Sequence, residues 1–172
     1  SQGQHWLPGS IDYPANGEIP VMPMTAIDEI SYRTPDALFN GEAVVGVIQS
    51  CIPNIKNAWA APGPDIDVLL IAIRIASYGH QMEIGSQCPS CGEEHNFNLD
   101  LRGVIDGLKS SDYSKSLAQG DLVFHFRPLS YREITDNSLH QFEQQKTLQL
   151  INESSDLDEK DKISKMNSTM KS

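Results

Sequence analysis

The sequence predicts an α+β fold, with a small helical core and either a short antiparallel hairpin or a three-stranded sheet. Residues 65–78 have the apolar spacing of a buried helix. The segments on either side of Cys88-Pro89-Ser90-Cys91 have the composition of short strands joined by a turn. Apolar residues are only 39% of the 172 residues and the mean hydropathy is −0.35, which indicates a modest core with polar extensions.

Three regions follow one another along the chain. Residues 1–24 are predicted to form an extended N-terminal arm, because four prolines recur there and block helices. The arm also carries apolar side chains such as Trp6, so we expect it to dock onto its own core or onto a neighbouring subunit. Residues 25–137 are predicted to form the globular α+β domain, and residues 138–172 a polar C-terminal tail that is helical or disordered.

Two helices are expected in the first half of the globular domain. Thr34 and Pro35 suit the start of the first helix, Asn40-Gly41 is expected to divide it, and Pro53 ends it. The second helix, residues 65–78, is apolar around most of its circumference and should be central and buried on most sides. Gly79 is placed to end it.

The second half of the domain is predicted to hold the strands. Residues 81–84 and 96–101 are expected to pair across a turn at residues 85–95, and residues 122–127 to form a third strand. Ser130 with Glu133 matches a capping box, which predicts a helix that begins at Tyr131.

The pair Cys88 and Cys91, in a Pro/Gly turn, resembles one arm of a zinc knuckle. A closed structural zinc site takes four ligands, usually from two such pairs, and this chain has three cysteines. The preferred metal-binding set is Cys88, Cys91 and Cys51, with His95 or His80 as the fourth ligand. The expected cofactor is Zn²⁺, although an iron–sulfur cluster also uses cysteine ligands.

Three alternatives to this metal site stay open. The turn could be a degenerate knuckle that binds no metal, or two chains could share a metal through two thiols each. A redox pair is less typical, because redox thiols usually start a helix after a strand.

Charge and motifs exclude several function classes. Residues 1–100 hold twelve acidic and three basic side chains, and no basic stripe is present, which disfavours nucleic-acid binding. No apolar run reaches the roughly 20 residues that span a bilayer, and no signal peptide is expected. The odd cysteine count favours a reducing cytosol. Common catalytic motifs are absent from the sequence, so we expect no enzyme.

The order of several short motifs resembles the baseplate hub assembly proteins of T4-like contractile-tailed bacteriophages. The resemblance covers roughly residues 24–135, and these motifs carry it: Ser31-Tyr32-Arg33-Thr34-Pro35-Asp36-Ala37-Leu38, Cys51-Ile52-Pro53, the Leu-Leu-Ile-Ala-Ile-Arg run at 69–74, the thiol hairpin, and Phe126-Arg127-Pro128-Leu129-Ser130-Tyr131.

The resemblance implies a non-enzymatic virus protein that is made in the host cytoplasm and acts in baseplate hub assembly. It would be either a hub subunit that stays in the virion or a chaperone for the tape-measure or hub proteins that then leaves. The implied partners are other baseplate, hub or tape-measure proteins, and an oligomer is expected. An alternative function is a metal-binding adaptor that recognises a protein partner through the thiol hairpin.

Overall fold

The computed structural model describes residues 5–35, 40–108, 112–153 and 159–169. The described part is α+β, with six α-helices and two small antiparallel hairpins. The chain divides into two compact units, Ser1–Arg132 and Glu133–Ser172. The helices are α1 Ala26–Tyr32, α2 Glu42–Cys51, α3 Gly63–Tyr78, α4 Leu101–Gly107, α5 Tyr131–Glu153 and α6 Glu159–Thr169; the strands are β1 Gln81–Gln87, β2 Glu94–Asp100, β3 Leu117–Gln119 and β4 Leu122–Phe124.

Helix α1 was not predicted, although the sequence contains its start signal. Thr25 and Asp28 form a reciprocal capping box, in which the Thr25 backbone N–H donates to Asp28 Oδ2 at 2.8 Å. The Ser50 hydroxyl of α2 donates to the same oxygen at 3.1 Å, so Asp28 also ties α1 to α2. The first part of the helix predicted to start at Thr34 and Pro35 falls on residues 36–39, which lie outside the described residues.

The core lies around α2 and the segment that follows it. Its largest fully buried side chains are Val47, Ile48, Cys51, Ile52, Ile55 and Ile73. A 3-10 turn at Ala58–Ala60 then leads into α3. Helix α2 begins at Glu42, directly after Gly41, whose φ of 80° explains why Asn40-Gly41 separates it from the preceding chain.

The N-terminal arm docks onto its own core. Ile11 forms an antiparallel bridge with Ile55, and the Met22 N–H donates to the Cys51 carbonyl at 2.8 Å. Trp6 is 9% exposed and its Nε1 donates to Asp65 Oδ2 at 2.9 Å. Of the two predicted docking partners, the described residues of the arm use the chain's own core.

Helix α3 is less buried than its sequence predicted. Only Ile66 and Ile73 are buried, and its other apolar side chains are half-buried or exposed. The arm bonds to the helix at Asp65 and Ser77, and α2 and α4 pack against it, but its remaining surface stays accessible. Gly79 ends α3 as predicted, with a φ of 81° and its N–H bonded to the Ile75 carbonyl.

The predicted three-stranded sheet is wrong. β1 pairs with β2, from Gln81 opposite Asp100 to Gln87 opposite Glu94, and β4 pairs instead with β3 in a separate two-stranded sheet. Residues 117–119, predicted as loop, provide a nearer partner for β4. Loop closure between adjacent segments costs less entropy than closure to a strand some twenty residues away.

Helix α5 begins at Tyr131, as the capping pattern predicted. In the unit Glu133–Ser172, the Lys162 ammonium of α6 donates to the Asn152 carbonyl near the end of α5 at 3.0 Å. None of the described helices has the length and apolar character needed to cross a membrane. The three predicted regions, 1–24, 25–137 and 138–172, stay a prediction. The division after Arg132 separates two compact units and does not test the boundaries of these regions.

Candidate functional site

The thiol pair lies in the tight turn that joins β1 to β2. The turn is closed at both ends: the Cys88 N–H donates to the Glu93 carbonyl at 2.8 Å, and the Gly92 N–H donates to the Cys88 carbonyl at 2.9 Å. Gly92 has a φ of 74°, a left-handed conformation that favours glycine. The turn is shorter than predicted, because β1 and β2 continue pairing as far as Gln87 and Glu94.

The Cys88 sulfur sits where backbone N–H groups stabilise a thiolate. Hydrogen bonds from the Cys91 N–H, the Ser90 N–H and the Cys91 side chain lower the pKa of Cys88. Cys88 is half-buried and Cys91 is exposed. The sulfur of Cys91 also lies 3.9 Å from Glu93 Oε2. The two thiols are therefore adjacent and accessible from solvent.

Cys51 lies in a contrasting environment. It is 1% exposed at the end of α2, inside the hydrophobic core. Burial raises the pKa of its thiol, and the nearby Asp28 carboxylate raises this pKa further. These surroundings favour a neutral thiol that packs as a small apolar side chain.

The predicted histidine ligands lie at the two ends of the hairpin. His95 is in β2, one residue past its start, with Nε2 3.9 Å from Glu93 Oε2. His80 precedes β1, and its carbonyl accepts from the Leu101 N–H at the base of the hairpin. Within the described residues, no group of three or more His, Cys, Asp or Glu side chains is placed to hold a metal ion. The set of Cys88, Cys91, Cys51 and His95 stays a prediction.

A second candidate surface is apolar and was missed by the sequence analysis. The β3–β4 hairpin and the chain that follows it, which we call the apolar hairpin (residues 117–129), expose these large side chains by 43–63%: Leu117, Leu122, Val123, Phe124, Phe126 and Leu129. Gly120-Asp121 between two apolar runs is the sequence signal that could have predicted it, and Gly120 has a φ of 62°.

The base of the apolar hairpin, at its C-terminal end, is fixed to the core. The Tyr131 N–H donates to the Ala61 carbonyl at 2.8 Å and the Gly63 N–H to the Leu129 carbonyl at 2.9 Å. The Tyr131 ring stacks on Trp59 with centroids 5.6 Å apart. The apolar hairpin is thus held at its base while its strands remain exposed.

A protein-family model described as T4 bacteriophage base plate protein matches residues 14–170 of this chain. The match extends beyond the motifs at 24–135 to include residues 14–23 of the N-terminal arm and the C-terminal helices. Comparisons with curated proteins and with solved structures found no match.

Proposed function

We propose that this chain, which belongs to the T4 bacteriophage base plate protein family, acts without catalysis in assembly of the baseplate hub. Membership makes it a T4-like phage baseplate protein. The hub, as the place where it acts, is our inference from the order of its motifs. Its partners would then be other hub proteins or the tape-measure protein.

The observation that carries a binding role is the exposure of the apolar hairpin. Its strands have three residues each, and an isolated two-stranded hairpin is marginally stable in water. Leu122 is 63% exposed and Val123 is 57% exposed, although neighbouring residues of a strand point to opposite faces. Both faces of the hairpin are therefore apolar and accessible, which is typical of a surface that another protein covers.

Two versions of the role differ in whether the protein stays in the particle. A permanent hub subunit would keep the apolar hairpin covered after assembly. A departing chaperone is favoured by α5 and α6, which are mostly polar and expose isolated apolar side chains such as Leu150 and Ile163. A sparse stripe of this kind suits reversible binding to a partner helix. The protein would act in the host cytoplasm in both versions and reach the virion tail only as a subunit.

The experiment compares phage that carry Phe126→Ser with phage that carry His125→Ser, its exposed neighbour. We expect Phe126→Ser to lower the yield of complete tails at least tenfold and His125→Ser to leave it near the wild-type yield. Equal yields for the two variants would contradict binding through the apolar hairpin. Circular dichroism of the purified variants checks that both remain folded.

Quantitative mass spectrometry of purified particles separates the two versions. A stoichiometric copy number in finished particles supports the subunit. Presence in assembly intermediates with absence from finished particles supports the chaperone.

A further inference from the structure

The thiol turn at the tip of the β1–β2 hairpin has the form of one half of a metal site. We propose that two copies of this chain share one thiophilic divalent cation, of which Zn²⁺ is the natural example, through Cys88 and Cys91 of each copy. This inference goes beyond the baseplate role and does not depend on it.

The turn places two free thiols at the tip of the hairpin, where Cys88 is half-buried and Cys91 is exposed. The thiols are separated by two residues, and the bonds from the Cys88 N–H to the Glu93 carbonyl and from the Gly92 N–H to the Cys88 carbonyl hold the turn closed around them. A cysteine pair at this spacing is the arrangement with which structural zinc sites take two of their four ligands.

The chain itself supplies only this half of the ligand set. A structural zinc site is closed by four protein ligands. The described residues hold no group of three or more candidate ligands, and Cys51 is enclosed in the core. The His95 ring lies instead beside Phe97, with centroids 6.4 Å apart, and near Glu93. The remaining two ligands are therefore expected from a second molecule.

A second copy fits this requirement by symmetry. A two-fold axis through the metal exchanges the opposite edges of a tetrahedron, so each copy can occupy one edge with its own thiol pair. The hairpin is free to make this approach. All residues of β1 are exposed, and its seven residues give the hairpin a length of about 20 Å.

The charge of the hairpin makes the association depend on the cation. Residues 81–99 contain Glu83, Glu93 and Glu94 and no lysine or arginine. Two tips with their thiolates would repel each other at close range. A divalent cation between the four sulfurs offsets part of this charge, so the paired state should form with metal and dissociate without it.

The test is a ZnCl₂ titration of the reduced full-length chain, followed by native mass spectrometry. We expect a doubled mass with about one half Zn²⁺ per chain, and return to the starting mass after chelation. Cys88→Ser and Cys91→Ser should each abolish the doubling, whereas Ser90→Ala and Cys51→Ala should retain it. Circular dichroism confirms that each variant is folded. Tetrahedral Co²⁺ spectra of the wild type should report four thiolates.

Several results would overturn the proposal. One Zn²⁺ per monomer that requires Cys51 would assign the site to a single chain. Absence of binding at micromolar Zn²⁺ would remove the site altogether. A doubled mass that forms without metal and disappears on reduction would identify a disulfide instead. None of these outcomes affects the baseplate role, which the tail-yield experiment tests separately.

Discussion

Replacing Trp6 measures how firmly the N-terminal arm is held on its own core. The Trp6 side chain is 9% exposed, and its Nε1 donates to the Asp65 carboxylate at 2.9 Å. Truncation of a buried tryptophan to alanine costs about 3–5 kcal/mol. Because Trp6 lies at the edge of the core, we expect Trp6→Ala to lower the free energy of unfolding by about 3 kcal/mol.

A second substitution separates the hydrogen bond from the packing. Trp6→Phe keeps most of the apolar surface and loses the bond to the Asp65 carboxylate. Hydrogen bonds to charged groups contribute about 1.5–3 kcal/mol, and exposure at the edge reduces this, so we expect a loss of about 1–2 kcal/mol. The neighbouring Leu7 is 61% exposed, which makes Leu7→Ala the matched control with a change under about 0.5 kcal/mol.

The assay is urea unfolding followed by tryptophan fluorescence. Both Trp6 variants retain Trp59, which stacks on Tyr131 and reports on the same compact unit. With a slope of about 2 kcal/mol per molar urea, Trp6→Ala should lower the midpoint by about 1.5 M. A midpoint equal to that of Leu7→Ala would refute the docking of the arm on its own core.

Three further predictions concern single groups. Asp28→Asn should destabilise the protein at pH 7, as measured by urea unfolding. Burial alone would raise the pKa of Asp28, but the hydrogen bonds from Thr25 and Ser50 lower it, so the charged carboxylate stabilises the folded state. The difference in unfolding free energy between the wild type and this variant should be constant above pH about 5 and shrink as the pH falls through the lowered pKa of Asp28. A difference that does not change with pH would contradict this. In the reduced native protein, iodoacetamide should alkylate Cys88 at least tenfold faster than Cys51, as followed by mass spectrometry. The control is the urea-unfolded protein, in which the two rates should be equal. Gly92→Ala should destabilise the β1–β2 hairpin by about 1–2 kcal/mol, because Gly92 has a positive φ that alanine disfavours. The measurement is hydrogen exchange of the hairpin amides, which should become faster. An unchanged exchange rate would contradict this turn conformation.

The sequence predicted elements whose signals are local. The helix that ends at Gly79, the paired strands on either side of Cys88 and Cys91, and the helix that begins at Tyr131 are confirmed. Each is determined by a cap, a turn residue or a periodic pattern within a few residues. Helix α1 and the apolar hairpin were missed, although Thr25 with Asp28 and Gly120-Asp121 were local signals of the same kind.

The candidate metal site likewise has a part that depends on local sequence and a part that depends on tertiary packing. The sequence placed Cys88 and Cys91 together in one turn, because their spacing and the glycine after them dictate it. Whether Cys51 or a histidine joins them depends on how distant segments pack, which spacing along the chain does not determine. The structure puts Cys51 in the core and the pair on an exposed tip, since the hairpin leaves the core instead of folding over it.

The family, the thiol turn and most helix and strand positions follow from the amino-acid sequence alone, because these depend on neighbouring residues and on motif order. The packing of distant segments was needed to show that the arm covers its own core, that β4 pairs with β3, and that α3 is partly uncovered. These features depend on which apolar surfaces find a partner within the chain. The surfaces left exposed, the apolar hairpin above all, are those for which this small core has no cover.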